Sequence, residues 1–214
     1  VSVVHANHEV GTIQPIHEIA ELCRARGILV HSDASQSAGK IRVRVDDLGV
    51  DLLTLAGHKM YAPKGVGALY VRSGVQLEPL IHGAGQEGGL RAGMENVPGI
   101  MGLGKAASLA AKMLEETMPR MSHLRDRLLE RLRATIGPSL RVHGDLAPRL
   151  PNTLSVGFPG VNAAQLLELA PEVDAWTAVS SHSESRSVSP TLSAMGVRPE
   201  QGSGAVRFSV GWYT

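Results

Sequence analysis

The stretch Thr54–Tyr70, TLAGHKMYAPKGVGALY, constrains the fold more than any other part of the chain. It reads as a short buried strand from Asp51 to Ala56, an exposed His58-Lys59 pair, a turn rich in proline and glycine, and a second strand from Gly65 to Val71. Short apolar runs bounded by glycine and proline are strands, and strands buried on both faces belong to α/β sheets. Glycines beside a strand end also admit a ligand close to the backbone. A lysine there is placed for covalent chemistry, although Gly57-His58-Lys59 taken alone reads more readily as a surface lysine beside a turn.

The upstream segment Leu29–Gln36, LVHSDASQ, weighs on the choice. It is another strand, and it ends in a carboxylate and an amide. An aspartate beside a lysine suits pyridoxal phosphate: the lysine takes the aldehyde covalently, and the aspartate keeps the pyridine nitrogen protonated so that the ring accepts electrons.

The flanking chain supplies the rest of such a sheet. A strand from Ser2 to Ala6 runs into the polar loop Asn7-His8-Glu9-Val10-Gly11, and the carboxyl edge of an open α/β sheet is where ligands bind. Ile16, Ile19, Ala20 and Cys23 recur at helical spacing until Gly27, and a strand from Ile28 to His31 follows. Strand, helix and strand in that order predict a right-handed parallel crossover. Val43–Leu48 is a turn or short helix. From Val97 to Ile136 the pattern is one long helix, amphipathic over Leu114–Leu132 with Arg125, Arg127, Glu130 and Arg131 on a solvated face. Beyond Gly137-Pro138 the texture changes to short strands (Leu140–Val142, Thr153–Val156, Ala205–Val210) and a helix (Ala163–Leu169), the signature of a small α+β domain. Ser180–Ser189 reads as a serine-rich loop. The division expected is residues 1–113 as part of a large α/β domain with a mostly parallel sheet, and 114–214 as a smaller C-terminal domain.

Composition excludes several classes. Net charge is +1, which gives no electrostatic case for nucleic acid or an anionic membrane surface. One cysteine, Cys23, rules out an intrachain disulfide and a cysteine-rich metal site, and its place on an apolar helical stripe predicts a buried thiol. No metal site is expected. No run of 18 apolar residues occurs and the N-terminus has no signal pattern, so the expected location is cytoplasmic. Aromatics are only 3 %, so the core must be aliphatic.

Five blocks in register resemble the cysteine desulfurase and selenocysteine lyase family of class-V aminotransferase-like enzymes. They are Ala6–Gly11 (ANHEVG), His31–Gln36 (HSDASQ), Gly57-His58-Lys59 with Gly65–Tyr70 (GVGALY), Gly83–Asn96 (GAGQEGGLRAGMEN) and Val206–Gly211 (VRFSVG). The resemblance implies a fold-type I pyridoxal-phosphate-dependent enzyme whose N-terminal part precedes this chain. By the same resemblance Lys59 carries the cofactor and Asp33 pairs with its pyridine nitrogen. Asn7 and Gln36 attend the phenolic oxygen, His58 helps hold the phosphate, and Asn7 and Arg207 bind the substrate. The local alternatives are a loop amide at Asn7 or Gln36, a helix N-cap at Asp33, a structural histidine at His58 and a surface arginine at Arg207. The resemblance further implies L-cysteine or L-selenocysteine as substrate, a sulfur-acceptor protein as partner, and a homodimer completed by Gly83–Asn96.

The pattern is broken at several positions. Ala56 stands where many relatives have serine, Met94 where threonine is usual, and Trp212 where arginine is common. The family's nucleophilic cysteine aligns with Ser181, ahead of His182 and Ser189-Pro190. A thiolate can attack the substrate sulfur and keep it as a persulfide, whereas a serine hydroxyl is hardly ionised at neutral pH. Ser181 is therefore the position of a replaced nucleophile. A β-eliminating C–S lyase, which needs no cysteine, and a catalytically dead scaffold relative are the competing readings.

Overall fold

The computed structural model describes residues 1–177 and 188–214, and the chain divides into two compact units. The first comprises Val1–His5 and Gln14–Leu114; the second comprises Ala6–Ile13 and Glu115–Thr214.

In the first unit, β1 (Ser2–Val4), β2 (His31–Asp33), β3 (Leu52–Ala56) and β4 (Gly67–Val71) form one sheet in that order. β1, β2 and β3 run parallel, with Ser2 opposite His31 and Asp33 opposite Thr54. β4 returns antiparallel, with Ala56 opposite Gly67. Helix α1 (Ile16–Arg24) makes the crossover between β1 and β2, and the short helix α2 (Val45–Leu48) precedes β3. Ile16, Ala20 and Cys23, one stripe of α1, are buried with Val30, Ala34, Val50 and Leu53 in an aliphatic core. The buried thiol expected at Cys23 is found there.

β2 begins later than the apolar run Ile28–His31 suggests. The N–H of Val30 donates to the Asp51 carboxylate at 2.8 Å, and its carbonyl accepts from the N–H groups of Asp51 and Leu52. A side chain thus replaces the first rung of the ladder, and regular pairing starts at His31.

Helix α3 (Val97–Ile136) runs unbroken as the sequence predicts, with Pro119 inside it, and crosses the boundary between the units at Leu114. The second unit carries β5 (Arg141–Val142), β6 (Thr153–Gly157), helix α4 (Ala163–Glu168), β7 (Trp176–Thr177), helices α5 (Pro190–Ala194) and α6 (Pro199–Gly202), and β8 (Ala205–Ser209). Its sheet is antiparallel with strand order β5-β6-β8-β7. Leu129 of α3 packs with Leu140, Leu154 and Val156. Residues 6–13 form a tight hairpin in this unit, closed by an antiparallel bridge between Ala6 and Ile13 and tied by a second bridge from Thr12 to Arg149. At its tip Gly11 has φ +78°, and a Cβ there would meet the Thr153 side chain at 2.9 Å, so only glycine fits. No helix of the described residues is long and apolar enough to cross a membrane.

Two buried histidines set a pH response. Burial lowers the pKa of His5, and burial lowers that of His143 against the opposing charge of Glu9. Both folded values lie below the ordinary 6.5, so the unfolded chain binds protons that the folded one refuses. This part of the stability is complete above about pH 6.5 and is lost as pH falls from there through the folded values. Thermal melts from about pH 8 down to about pH 5 are expected to show a falling midpoint, with a shallower slope in His143→Asn.

Candidate active site

Four of the expected site residues lie in the first unit, beyond the carboxyl ends of neighbouring strands. β2 ends at Asp33 and β3 at Ala56, and the two strands are paired in parallel, so the segments leaving them emerge at one edge of the sheet. Asp33 and Gln36 lie on the first segment; His58 and Lys59 lie on the second.

The Asp33 loop is held from several sides. Asp33 Oδ1 accepts from the Ser35 N–H at 2.8 Å, which makes a turn rather than a helix cap. Its Oδ2 has no hydrogen-bond partner among the described residues, so the half-buried carboxylate keeps an oxygen for a cationic N–H. The backbone carbonyl of Asp33 accepts from the His5 N–H at 2.8 Å. The His5 ring, 4 % exposed, stands behind the loop with Nδ1 2.8 Å from Ser37 Oγ. Ser37 Oγ donates to the Ala34 carbonyl at 3.2 Å, so it accepts from His5 Nδ1–H, and this assigns the tautomer. On the face of β2 shared with Asp33, His31 bonds Ser2 Oγ at 2.7 Å and Thr54 Oγ1 at 2.8 Å, which locks the three parallel strands together. His5 and Ser37 are absent from the sequence reading; a histidine inside an apolar strand was the one signal available.

The turn after β3 is a single 3-10 turn, Gly57–Met60, ended by Tyr61 at φ 65°. Gly57 is required, because a Cβ would lie 2.8 Å from the Val66 carbonyl oxygen. Within the turn Met60 is buried, 5 % exposed, while His58 and Lys59 are exposed. Neither exposed side chain has a partner among the described residues, and the same holds for the side chain of Gln36. An amine, a carboxylate oxygen, an amide and an imidazole, all unengaged on one sheet edge, match the donor and acceptor set that pyridoxal phosphate requires. Ala56 supplies no hydroxyl to that set.

Asn7 and Arg207 both fall in the second unit. Asn7 Oδ1 accepts from the N–H groups of Glu9 and Val10 at 2.8 and 3.0 Å, so the side chain shapes its own hairpin while its NH2 group stays available. Arg207 donates from Nη1 to the His8 carbonyl of that hairpin at 2.7 Å. Burial lowers the Arg207 pKa, with the Glu9 carboxylate opposing. Glu9 is itself only 3 % exposed, and the Ser189 hydroxyl lies 2.7 Å from both its carboxylate oxygens. Ser189 Oγ also accepts from the Leu192 N–H at 3.1 Å and caps α5. This link spans 180 residues of chain, and nothing in either local sequence announces it. Ser181 lies outside the described residues.

The class-V aminotransferase model matches residues 1–214. The chain belongs to the class-V aminotransferase family. Among its relatives, cysteine desulfurase IscS of Dictyoglomus turgidum is 43 % identical over 216 residues, covering 100 % of this chain and 55 % of the relative. A cysteine desulfurase of Nostoc sp. is 44 % identical over 216 residues, with 100 % and 54 % covered. The X-ray structure of a NifS-like protein from Rickettsia africae superposes with a TM-score of 0.89 at 30 % identity, over 99 % of this chain and 56 % of that one. The chain therefore spans about half the length of the relatives it matches. The mixed α/β architecture with a parallel-rich sheet is the fold-type I architecture expected from the five blocks. In this class-V aminotransferase chain the parallel pairing of β2 and β3 sets the lysine and aspartate segments side by side.

Proposed function

We propose that this chain carries cofactor- and substrate-binding residues of a pyridoxal-phosphate-dependent cysteine desulfurase, which takes sulfur from L-cysteine or selenium from L-selenocysteine and leaves alanine. The observation that carries the reading is the sheet edge on which Asp33 Oδ2 and the Lys59 amine are both unengaged. When bound, the cofactor supplies an electron sink for the substrate carbon atoms.

The residues divide the remaining work. Lys59 holds the cofactor covalently and moves the substrate α-proton. Asp33 keeps the pyridine nitrogen protonated, His58 contributes to phosphate binding, and Gln36 and Asn7 donate to the phenolic oxygen. Asn7 and Arg207 take the substrate, the arginine through its planar fork to the α-carboxylate. Where the family has its cysteine this chain has Ser181, and with a cysteine there its thiolate would attack the substrate sulfur. An S–S bond forms, the C–S bond breaks with its electron pair left on carbon, and protonation of that carbon gives alanine. The persulfide then passes to an acceptor protein. A homodimer is part of the same reading: Leu80 and Met94, beside a cavity lined by Leu69, Leu90 and Ile100, are each 93 % exposed.

Product analysis tests the function. Native-length, cofactor-loaded protein carrying Ser181→Cys is expected to convert L-cysteine, in the presence of a thiol reductant, to alanine and sulfide in equal amounts. Pyruvate and ammonia in place of alanine would replace this reading with a β-eliminating C–S lyase. No product and no cofactor absorbance would leave a scaffold.

A further inference from the structure

A row of side chains crosses the sheet of the second unit. Arg207 on β8 pairs directly with Ser155 on β6 and with Trp176 on β7. His143, following β5, donates its N–H to the Ser155 carbonyl at 2.9 Å and sets Nδ1 3.0 Å from Ser155 Oγ. Directly paired residues of an antiparallel sheet point to the same face, so His143, Ser155, Arg207 and Trp176 stand side by side.

Within this row the guanidinium of Arg207 is constrained on two sides. Its carbon lies 5.1 Å from the centroid of the Trp176 ring, which is within cation–π range and sets an aromatic wall against it. Nη1 is taken by the His8 carbonyl at 2.7 Å. Besides the second N–H of Nη1, the donors left are Nε, which is buried without a partner, and Nη2, which has none among the described residues. Those two share one edge of the guanidinium, the side-on fork that a carboxylate occupies with two parallel hydrogen bonds. A buried donor with no partner calls for an explanation, and a bound carboxylate is one that also engages Nη2.

We propose that Trp176 is a positioning residue: its ring holds the Arg207 guanidinium in the one orientation that offers the Nε/Nη2 edge to the α-carboxylate of the amino-acid substrate. The proposal rests on the desulfurase reading for the ligand class, and it extends that reading to a residue outside the five blocks. Without the ring, Arg207 keeps its charge and its bond to His8 but can swing about its own long side chain, so discrimination falls more than stability does. Trp176 is 38 % exposed, so its removal leaves no buried cavity.

The test compares equilibrium binding of L-cysteine with that of cysteamine, the same molecule without its carboxylate. Titrations of native-length, cofactor-loaded protein are followed by the change in cofactor absorbance. Arg207→Gln is expected to abolish the preference for cysteine. Trp176→Ala is expected to cut it about fivefold, the scale of a partly desolvated cation–π contact. Trp176→Phe, which keeps an aromatic face, is expected to stay within about twofold of the parent. Full preference in Trp176→Ala, with preference lost in Arg207→Gln, would overturn the role of Trp176 and leave the function standing. Equal loss of affinity for both amines in Trp176→Ala would also overturn it, since that is the effect of a structural residue. A parent protein with no preference, unchanged in Arg207→Gln, would bring down the functional reading and this inference together.

Discussion

Lys59→Ala is expected to lower cysteine turnover by about 10²–10⁴-fold in the Ser181→Cys background, the range in which a positioned proton-transfer group acts, and to abolish covalent retention of pyridoxal phosphate. The choice of this lysine follows from the turn that carries it. Gly57 meets the Val66 carbonyl so closely that no side chain fits, and the 3-10 turn after it directs Lys59 out of the sheet edge instead of into the core. The neighbouring candidates are worse placed. Lys40 is engaged through Nζ with the Gln36 carbonyl at 2.9 Å. Lys64 sits in the exposed Pro63–Gly65 loop, beyond the turn and past Tyr61, where the left-handed backbone ends it. Borohydride reduction of the loaded protein followed by peptide mapping is expected to place the pyridoxyl group on Lys59 alone. Label on Lys64, or full turnover in Lys59→Ala, would refute the assignment.

The elements that position Lys59 and Asp33 were legible because each carries its signal locally. The stripe Ile16, Ala20, Cys23 gives α1, and the runs bounded by glycine give β3 and β4. The long helix α3 is likewise read from the sequence, through the small residues up to Ala111 and the amphipathic stripe over Leu114–Leu132, in spite of Pro119 inside it. What the sequence hid is short or non-local. β7 is only two residues long, and α5 and α6 only five and four, too few for any period to register. The strap from His5 to Ser37 joins residues 32 apart, and the bond from Ser189 to Glu9 joins residues 180 apart. Asn7 shows the same division. Its self-made turn is a property of the local sequence, whereas the nearness of Arg207 to the neighbouring His8 depends on the whole second unit being folded.

Ser181→Cys is expected to raise sulfide release from L-cysteine by at least about 10³-fold over the parent protein, the scale on which loss of a nucleophile acts. The argument is chemical. Desulfuration needs a group that is ionised near neutral pH and whose bond to sulfur survives until transfer. A cysteine thiol, with an ordinary pKa of about 8.5, meets both needs when its surroundings lower that value, while a serine hydroxyl meets neither. Cys23 cannot substitute: it is 9 % exposed, on the face of α1 that packs against Val30 and Leu53. The position follows from order along the chain, since Ser181 precedes His182 and the segment ends at Ser189-Pro190, where the Glu9 carboxylate fixes the cap of α5. Iodoacetamide is expected to alkylate the introduced thiol well before Cys23, with mass spectrometry reading which peptide gains the label. A persulfide found on position 180 in Ser180→Cys, and none on position 181 in Ser181→Cys, would move the nucleophile by one residue. If both proteins retain cofactor, bind cysteine and form no persulfide, thiol-based desulfuration is excluded for this chain.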